Sequence, residues 1–542
     1  MTNLFAKTGF LARFYFKKDR NKLIIWAVVL LMLMVSIAYK FGDLYGSQKQ
    51  IQAIMPTLRS KSMVSLFGTL GYPASLHIQT ANVFAQEMVI FMAIITVIMN
   101  FGLAVSGSRG QEDNGVIEMI RAKMVGKIAP LAASAIEIII INLILGVLYG
   151  AGIQAANMAE SDTNGDWLLG LSMAAVGIMF GVFGLLMAQI ADHSNNAMIL
   201  SYFGFAIAYV VRMATDVTNP DYTWWSPIGW LEKTSPYHGN NWLPVVWMIV
   251  LTIILLGLTF YLNLHRDLGS GIISSRPGRQ RASATLMGPV TLLMRLERTT
   301  IIAWILGSLM LGASYGSIYN SIGDILKTNP TMQQVFGKAA VDSANQGLVL
   351  NFSATIAIVI AVVATIPAIQ IMLKLKSDES KGWLELINSK PVSRIKMVCS
   401  YSAVAMVTGI ITWLVGIGTL FLVGNSTLKS SQQIDGAKIL ATIWTYIPAI
   451  LVMMAIAMLI IGWLPRFASF VWLYTAAGFV IMYMGGLLKL PDWTKNVIPF
   501  GWVNKVPVKN IDWSVFTWML VLFVGLMIIG WIGYRKRDFQ TD

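Results

Sequence analysis

Twelve stretches of this chain run for roughly twenty residues with almost no charge, near 23–42, 83–107, 129–152, 167–190, 196–214, 243–264, 300–319, 347–373, 397–424, 438–463, 467–488 and 513–534. A helix rising about 1.5 Å per residue needs about 20 apolar residues to cross about 30 Å of hydrocarbon. Inside hydrocarbon an unpaired backbone N–H or C=O costs several kcal/mol, so each such stretch has to fold as a helix. The pattern predicts an all-α polytopic membrane protein of about twelve transmembrane helices. Composition agrees: 56% of the 542 residues are hydrophobic and 12% are charged, more apolar than a soluble domain needs for one core.

Before the first stretch lies an amphipathic segment carrying Lys17, Lys18, Arg20 and Lys22. Basic residues before an apolar run suggest a signal peptide, but this run is too long and lacks a small-x-small cleavage site, so a retained helix is expected. The formal charge of +14 raises the question of a polyanion partner. Its distribution answers differently: 26 of the 40 Lys and Arg fall on the segments that are cytoplasmic if the N-terminus is inside, against 12 on the opposite set. That is the positive-inside bias, which predicts cytoplasmic termini and needs no nucleic acid. The single cysteine, Cys399, rules out an intramolecular disulfide and reads as a small core residue.

The chain repeats itself. Shifted by 267 residues, Glu112-Asp113-Asn114-Gly115-Val116-Ile117-Glu118-Met119-Ile120 falls on Glu379-Ser380-Lys381-Gly382-Trp383-Leu384-Glu385-Leu386-Ile387, with Lys123 on Lys390 and Lys127 on Arg394. At a shift of 272, Pro227-Ile228-Gly229-Trp230 meets Pro499-Phe500-Gly501-Trp502; at 271, Arg266-Asp267 meets Arg537-Asp538. The halves are therefore 1–268 and 290–542, joined by a Gly-, Ser-, Pro- and Arg-rich linker at 269–289. Six spans per half is an even number, which predicts equal orientation and a pseudo-twofold axis along the membrane normal.

Residues 108–128 and 374–396 form equivalent connections on the cytoplasmic side. Glu112 and Asp113 suit a helix N-terminus, an apolar stripe of Val116, Ile117, Ile120 and Met124 follows, and Arg121, Lys123 and Lys127 close the element. Trp383, Leu384 and Ile387 repeat the stripe, before Lys390, Arg394 and Lys396. An interfacial helix that merely connects two spans would look the same. Duplication favours a surface for a two-fold partner.

These segments resemble the coupling helices of type-2 ABC exporter permeases, with their acidic pair, Gly, apolar-Glu-apolar core and Pro-Val-Ser-Arg ending. That ending is intact at Pro391-Val392-Ser393-Arg394, whereas the first copy has Met124-Val125-Gly126-Lys127. Arg266-Asp267-Leu268-Gly269 followed by Arg276-Pro277-Gly278-Arg279 resembles the twelve-span polyketide-antibiotic (tetronasin-type) exporter permeases. The resemblance implies a permease subunit in a bacterial plasma membrane, moving hydrophobic antibiotics or related amphiphiles outward. It also implies two copies of a separate ATP-binding subunit, which hold the ATP and Mg and dock on Glu112, Asp113, Gly115, Glu118, Arg121, Lys127, Glu379, Gly382, Glu385, Pro391 and Arg394.

The chain itself carries no G-x-x-x-x-G-K-[ST] phosphate loop, so it is not expected to be an enzyme or to hold a cofactor. His77, His193, His238 and His265 are scattered, with no zinc-site spacing. Glu137, within AIEIIIINLIL, and Glu87 are carboxylates inside predicted spans, either contacts on a substrate path or packing hydrogen bonds. Pro227, Gly229 and Trp230, with Pro499, Gly501 and Trp502, suit an external gate or a loop anchored by interfacial tryptophans. The competing function is a proton-coupled twelve-span antiporter, although GSRGQEDNGVIEMIR lacks the Gly-x-x-x-Asp-Arg-x-Gly-Arg signature of the major facilitator carriers. A lipid- or polysaccharide-building enzyme would need clustered catalytic Asp, Glu or His, and no such cluster stands out in the sequence.

Overall fold

The computed structural model describes residues 4–59, 61–69, 78–272, 281, 283–319, 345–384, 392–428, 430, 433–484 and 491–537, and every regular element among them is helical. The chain divides into two compact units, Met1–Gly278 and Arg279–Asp542. In the first unit α1 (Thr8–Tyr45), α2 (Gln48–Leu58) and α3 (Lys61–Phe67) precede α4 (Thr80–Gly107), the short α5 (Arg109–Asp113) and α6 (Val116–Arg121), then α7 (Ala129–Ala156), α8 (Thr163–Ile190) and α9 (Ser194–Thr218). Two 3-10 turns, Pro220–Trp225 and Gly229–Thr234, lead into α10 (Leu243–His265). The second unit contains α11 (Pro289–Leu296), α12 (Arg298–Ser317), α13 (Asn345–Ser380), α14 (Arg394–Thr427), α15 (Gly436–Trp463), α16 (Phe470–Phe479), α17 (Pro499–Trp502) and α18 (Trp513–Lys536).

Eleven helices among the described residues are long and apolar enough to cross a bilayer, and they fall on eleven of the twelve predicted stretches. The remaining one, 467–488, holds a shorter apolar helix, Phe470–Tyr483, with a π turn at Val480–Met484. The basic segment before the first stretch belongs to α1 itself. At 38 residues this helix is about 57 Å long, well over the hydrocarbon thickness.

Within the first unit, α4, α7 and α8 are the buried helices, and Phe203, Val210 and Ile253 on α9 and α10 are exposed. Such exposed apolar side chains suit a helix whose solvent is lipid. Lipid gives apolar side chains no reason to seek each other, so association relies on close packing and polar pairing. Gly146 of α7 and Gly170 of α8 bring the two backbones together: a Cβ on Gly146 would stand 2.9 Å from the Gly170 carbonyl oxygen. In the second unit Gly316 of α12 does the same against the Leu420 carbonyl of α14, at 2.7 Å.

Polar pairing in the first unit centres on Asn100 of α4 and Asn142 of α7. The Asn100 amide donates to Asn142 Oδ1 at 3.0 Å and the Asn142 amide returns the bond to Asn100 Oδ1 at 2.6 Å. Each amide also donates to the carbonyl four residues back in its own helix, at 2.8 Å in both cases. Two buried amides thus satisfy one another in a setting where an orphan would be costly.

Candidate functional site

Where both are described, the two repeated connections share their turn and their anchoring residues, each within its own unit. In the first, α5 ends at Asp113 and Gly115 turns the chain with φ +70°, so that α6 starts at Val116. In the second, α13 runs on to Ser380 and Gly382 turns it with φ +71°. The Gly115 N–H donates to the Glu112 carbonyl and the Gly382 N–H to the Glu379 carbonyl, each at 2.9 Å. A side chain disfavours this left-handed conformation by about 1 kcal/mol, which accounts for a glycine in both copies.

Both leading glutamates point inward. Glu112 is 6% exposed; Arg109 reaches its Oε2 at 2.6 Å, and Arg266, just past the end of α10, grips both carboxylate oxygens, with Nη1 2.9 Å from Oε2. Glu379 is 4% exposed and receives Arg537, just past the end of α18, at 2.5 Å. A second bond accompanies each ion pair. Lys127 donates to the Leu264 carbonyl at 2.7 Å, and its counterpart Arg394 donates to the Arg537 carbonyl at 3.1 Å. Each connection is therefore clasped at both ends to the last long helix of its unit, with basic groups on the helix's free carbonyls.

The expected helix N-terminus at Glu112 and Asp113 is corrected by the structure, because both residues lie at the C-terminal end of α5. Glu112 tolerates that place because Arg109 and Arg266 neutralise it. Asp113 does cap a helix, but a different one: its Oδ2 accepts the Ser194 N–H at 2.7 Å at the start of α9. The stripe also divides differently. Ile117 and Leu384 are buried, while Glu118, Met119, Lys123 and Met124 are exposed and Trp383 is half-exposed. Trp383 carries two cations on its ring, Lys381 at 4.9 Å and Lys374 at 5.6 Å. Arg121, the last residue of α6, donates to the Lys127 carbonyl at 3.2 Å and so ties the helix to the chain that follows it. Glu385 and Pro391 lie outside the described residues.

The unequal endings have a local cause. Ser393 caps α14, its Oγ accepting the Lys396 N–H at 3.2 Å. The equivalent Gly126 donates instead to the Ala6 carbonyl, and Ile128 to the Leu4 carbonyl, each at 3.1 Å. The N-terminal segment lies so close that a Cβ at position 126 would stand 2.7 Å from the Ala6 nitrogen. Glycine replaces the cap because another strand of backbone occupies its space.

The Pro-x-Gly-Trp segments also share one construction. The Trp230 indole N–H donates to the Trp224 carbonyl at 2.7 Å, and that of Trp502 to the Asn496 carbonyl at 2.6 Å, six residues back in both cases. Gly229 and Gly501 each sit over a carbonyl six residues back, those of Thr223 and Lys495, where a Cβ does not fit. Pro227 and Pro499 precede them, Pro499 opening α17. Trp502 then packs edge-on against Trp518 of α18, with ring centroids 5.2 Å apart.

A family model described as "Multidrug efflux system permease Rv1217c, C-terminal domain" matches residues 12–262 and 286–535, one stretch in each half. The chain belongs to this family. A curated relative, the multidrug efflux system permease protein Rv1217c of Mycobacterium tuberculosis (strain ATCC 25618 / H37Rv), is 25% identical over 546 residues, covering 99% of this chain and 96% of its own length.

This member of the permease family also holds charge within its helical body. Glu137 is 1% exposed on α7, within electrostatic reach of Asp19, Lys18 and Lys22 of α1, and its Oε1 has no hydrogen-bond partner. Glu87 is half-buried on α4 and hydrogen-bonds Tyr45. The two carboxylates therefore belong to different surroundings.

A third cluster escaped the sequence reading. Arg212, fully buried on α9, lies 3.0 Å from Glu232 and 3.6 Å from Asp216, and it also donates to the Ser65 and Leu66 carbonyls. Its guanidinium stacks on Tyr209 at 4.6 Å, and Thr223 donates to Asp216 at 2.5 Å. The signal available was an Arg and an Asp four residues apart inside an apolar helix, the spacing of a buried pair. Burial and the neighbouring Asp216 push the Glu232 carboxyl up to about 8.

Proposed function

We propose that this chain is the membrane-spanning subunit of an ATP-driven exporter of hydrophobic drugs or related amphiphiles, with twelve spans in two pseudo-twofold halves and both termini cytoplasmic. Two copies of a separate ATP-binding subunit, holding ATP and Mg, dock beneath the connections Glu112–Lys127 and Glu379–Arg394. The observation that carries this reading is the duplicated clasp, Glu112 to Arg266 and Glu379 to Arg537. A plain connector has no need of a buried ion pair to the last helix of its own half, at the same place in both halves.

The clasp divides the labour. Exposed Glu118, Met119, Lys123 and Met124 in one copy, and Trp383 in the other, meet the partner, while Gly115 and Gly382 set the angle at which they are offered. Glu112, Arg266, Glu379 and Arg537 pass the push to α10 and α18. Both helices begin just after a Pro-x-Gly-Trp segment, so closure of the partner subunits moves the external gate at the far end of the same helix. Asp113 carries a second push to the start of α9. Such coupled rocking alternates the access of a path on which Glu137 and Glu87 offer polar contacts.

The test is transport in inverted vesicles. Efflux continues when the proton gradient is collapsed and stops when the partner's ATP hydrolysis is blocked. The reverse outcome makes the chain a proton-coupled antiporter instead.

A further inference from the structure

The second unit carries a groove that the proposed function does not use. It holds about 290 Å³ between α14 and α18, with Cys399, Ala403 and Met406 on one wall and Val524, Ile528 and Trp531 on the other. The Ser402 hydroxyl in its wall is buried and accepts the Trp531 indole N–H at 3.4 Å, so the surface offered is apolar. Val524 and Ile528 are exposed, so the groove opens outward. It is too small for a helix, which is about 10 Å across with its side chains. Since about 150 Å³ encloses a benzene ring, the groove takes one extended chain of roughly ten carbons.

Charge marks one end of it. The two helices run antiparallel: Trp531 meets Ser402, and nearer the start of α14 Arg394 donates to the Arg537 carbonyl at 3.1 Å. Lys396 and Arg535 therefore stand at one level. Lys396 precedes Cys399 by three residues and Arg535 follows Trp531 by four, so each continues a groove-lining stripe along its own helix. Both are exposed, and neither enters an ion pair among the described residues. Basic residues at helix ends also serve membrane orientation, but the repeat does not ask for them here. At shifts of 267 and 271 their counterparts are Ala129 and Leu264, and Ala129 packs in one buried cluster with Leu11, Ala12 and Tyr15 of α1.

We propose that this groove binds an anionic phospholipid, with one acyl chain lying between α14 and α18 and the phosphate between Lys396 and Arg535. The apolar walls hold the chain by close packing, which any lipid offers equally. The two cations at one end choose the headgroup, because a zwitterionic lipid brings an ammonium beside them that cancels the gain. The site belongs to the second half only. It needs a bilayer around these helices and does not depend on what drives transport.

The experiment is photolabelling of the purified full chain in phosphatidylcholine nanodiscs. These contain a trace of either phosphatidylglycerol or phosphatidylcholine with a diazirine on the acyl chain, and mass spectrometry maps the adducts. With labelling at the exposed Ile253 as the internal reference, phosphatidylglycerol is expected to mark residues 399–406 and 523–531 about tenfold more than phosphatidylcholine does. Lys396→Gln combined with Arg535→Gln removes that preference. Both positions are exposed, and circular dichroism checks that the helices persist. Equal labelling of the wild-type groove by the two lipids overturns the inference and leaves the groove to any apolar molecule. A preference that survives the double substitution overturns it as well. Neither result bears on the transport reading, because no partner subunit, ATP or substrate is present.

Discussion

Arg266 grips Glu112 across 154 residues of sequence, from just past the end of one long helix to the end of the short helix that leads into the charged connection. Arg537 and Glu379 repeat the relationship across 158 residues in the other half. Breaking a buried pair leaves a charge without compensation, which costs about 3–5 kcal/mol, whereas removing both partners costs much less. In a double-mutant cycle, Glu112→Gln, which strands both Arg109 and Arg266, is expected to destabilise the chain strongly, Arg266→Gln, which leaves Glu112 paired with Arg109, less so, and the two together by less than their sum, with a coupling energy of about 2 kcal/mol. Denaturant unfolding in detergent measures it. Strict additivity would remove the clasp from the account.

The two turn glycines should respond alike. Gly115→Ala and Gly382→Ala each force a side chain into the left-handed region and are expected to cost about 1 kcal/mol apiece. Because the turns aim the exposed face of each connection, both variants should also lower partner-driven transport. Loss in one half alone would mean that the two connections are not equivalent in use.

Both ends of each clasp were legible in the sequence, since the Glu-x-x-Gly repeat and the Arg-Asp pair recur at shifts of 267 and 271. That they bind one another was not, because a shift says which positions correspond and nothing about which are close. Eleven long helices were equally legible, as about 20 apolar residues leave a chain in lipid one way to satisfy its backbone. The N-terminus expected at Asp113 failed for a physical reason: a capping carboxylate serves whichever N–H groups lie nearest, and here those of α9 come from 81 residues away. Arg212, Asp216 and Glu232 stayed hidden because a helix and a 3-10 turn bring them together through the fold.

Gly126 offers a check on the unequal endings. Gly126→Ser recreates the residue of the second copy but puts a side chain where the Leu4–Ala6 backbone lies. The N-terminal segment should then detach, becoming cleavable by protease at residues 4–7, while the long helices stay folded by circular dichroism. Unchanged protection would contradict the packing explanation.

Asn100 and Asn142 test the polar core of the first half. Asn142→Leu leaves the Asn100 side chain without its reciprocal partner and is expected to cost about 1–2 kcal/mol. The double change to Leu at both positions should recover part of that loss, read as the midpoint of thermal unfolding in one detergent.

The central claim is that the two charged connections present one paired ATPase with two docking surfaces. A photo-crosslinking amino acid placed at Met124, which is 88% exposed, or at Trp383, which is 50% exposed, reports what touches each surface in native membranes. Mass spectrometry of the adducts is expected to find the same soluble ATP-binding polypeptide at both positions, two copies for each copy of this chain. Adducts with lipid alone, or with no ATP-binding polypeptide at either position, would contradict the account.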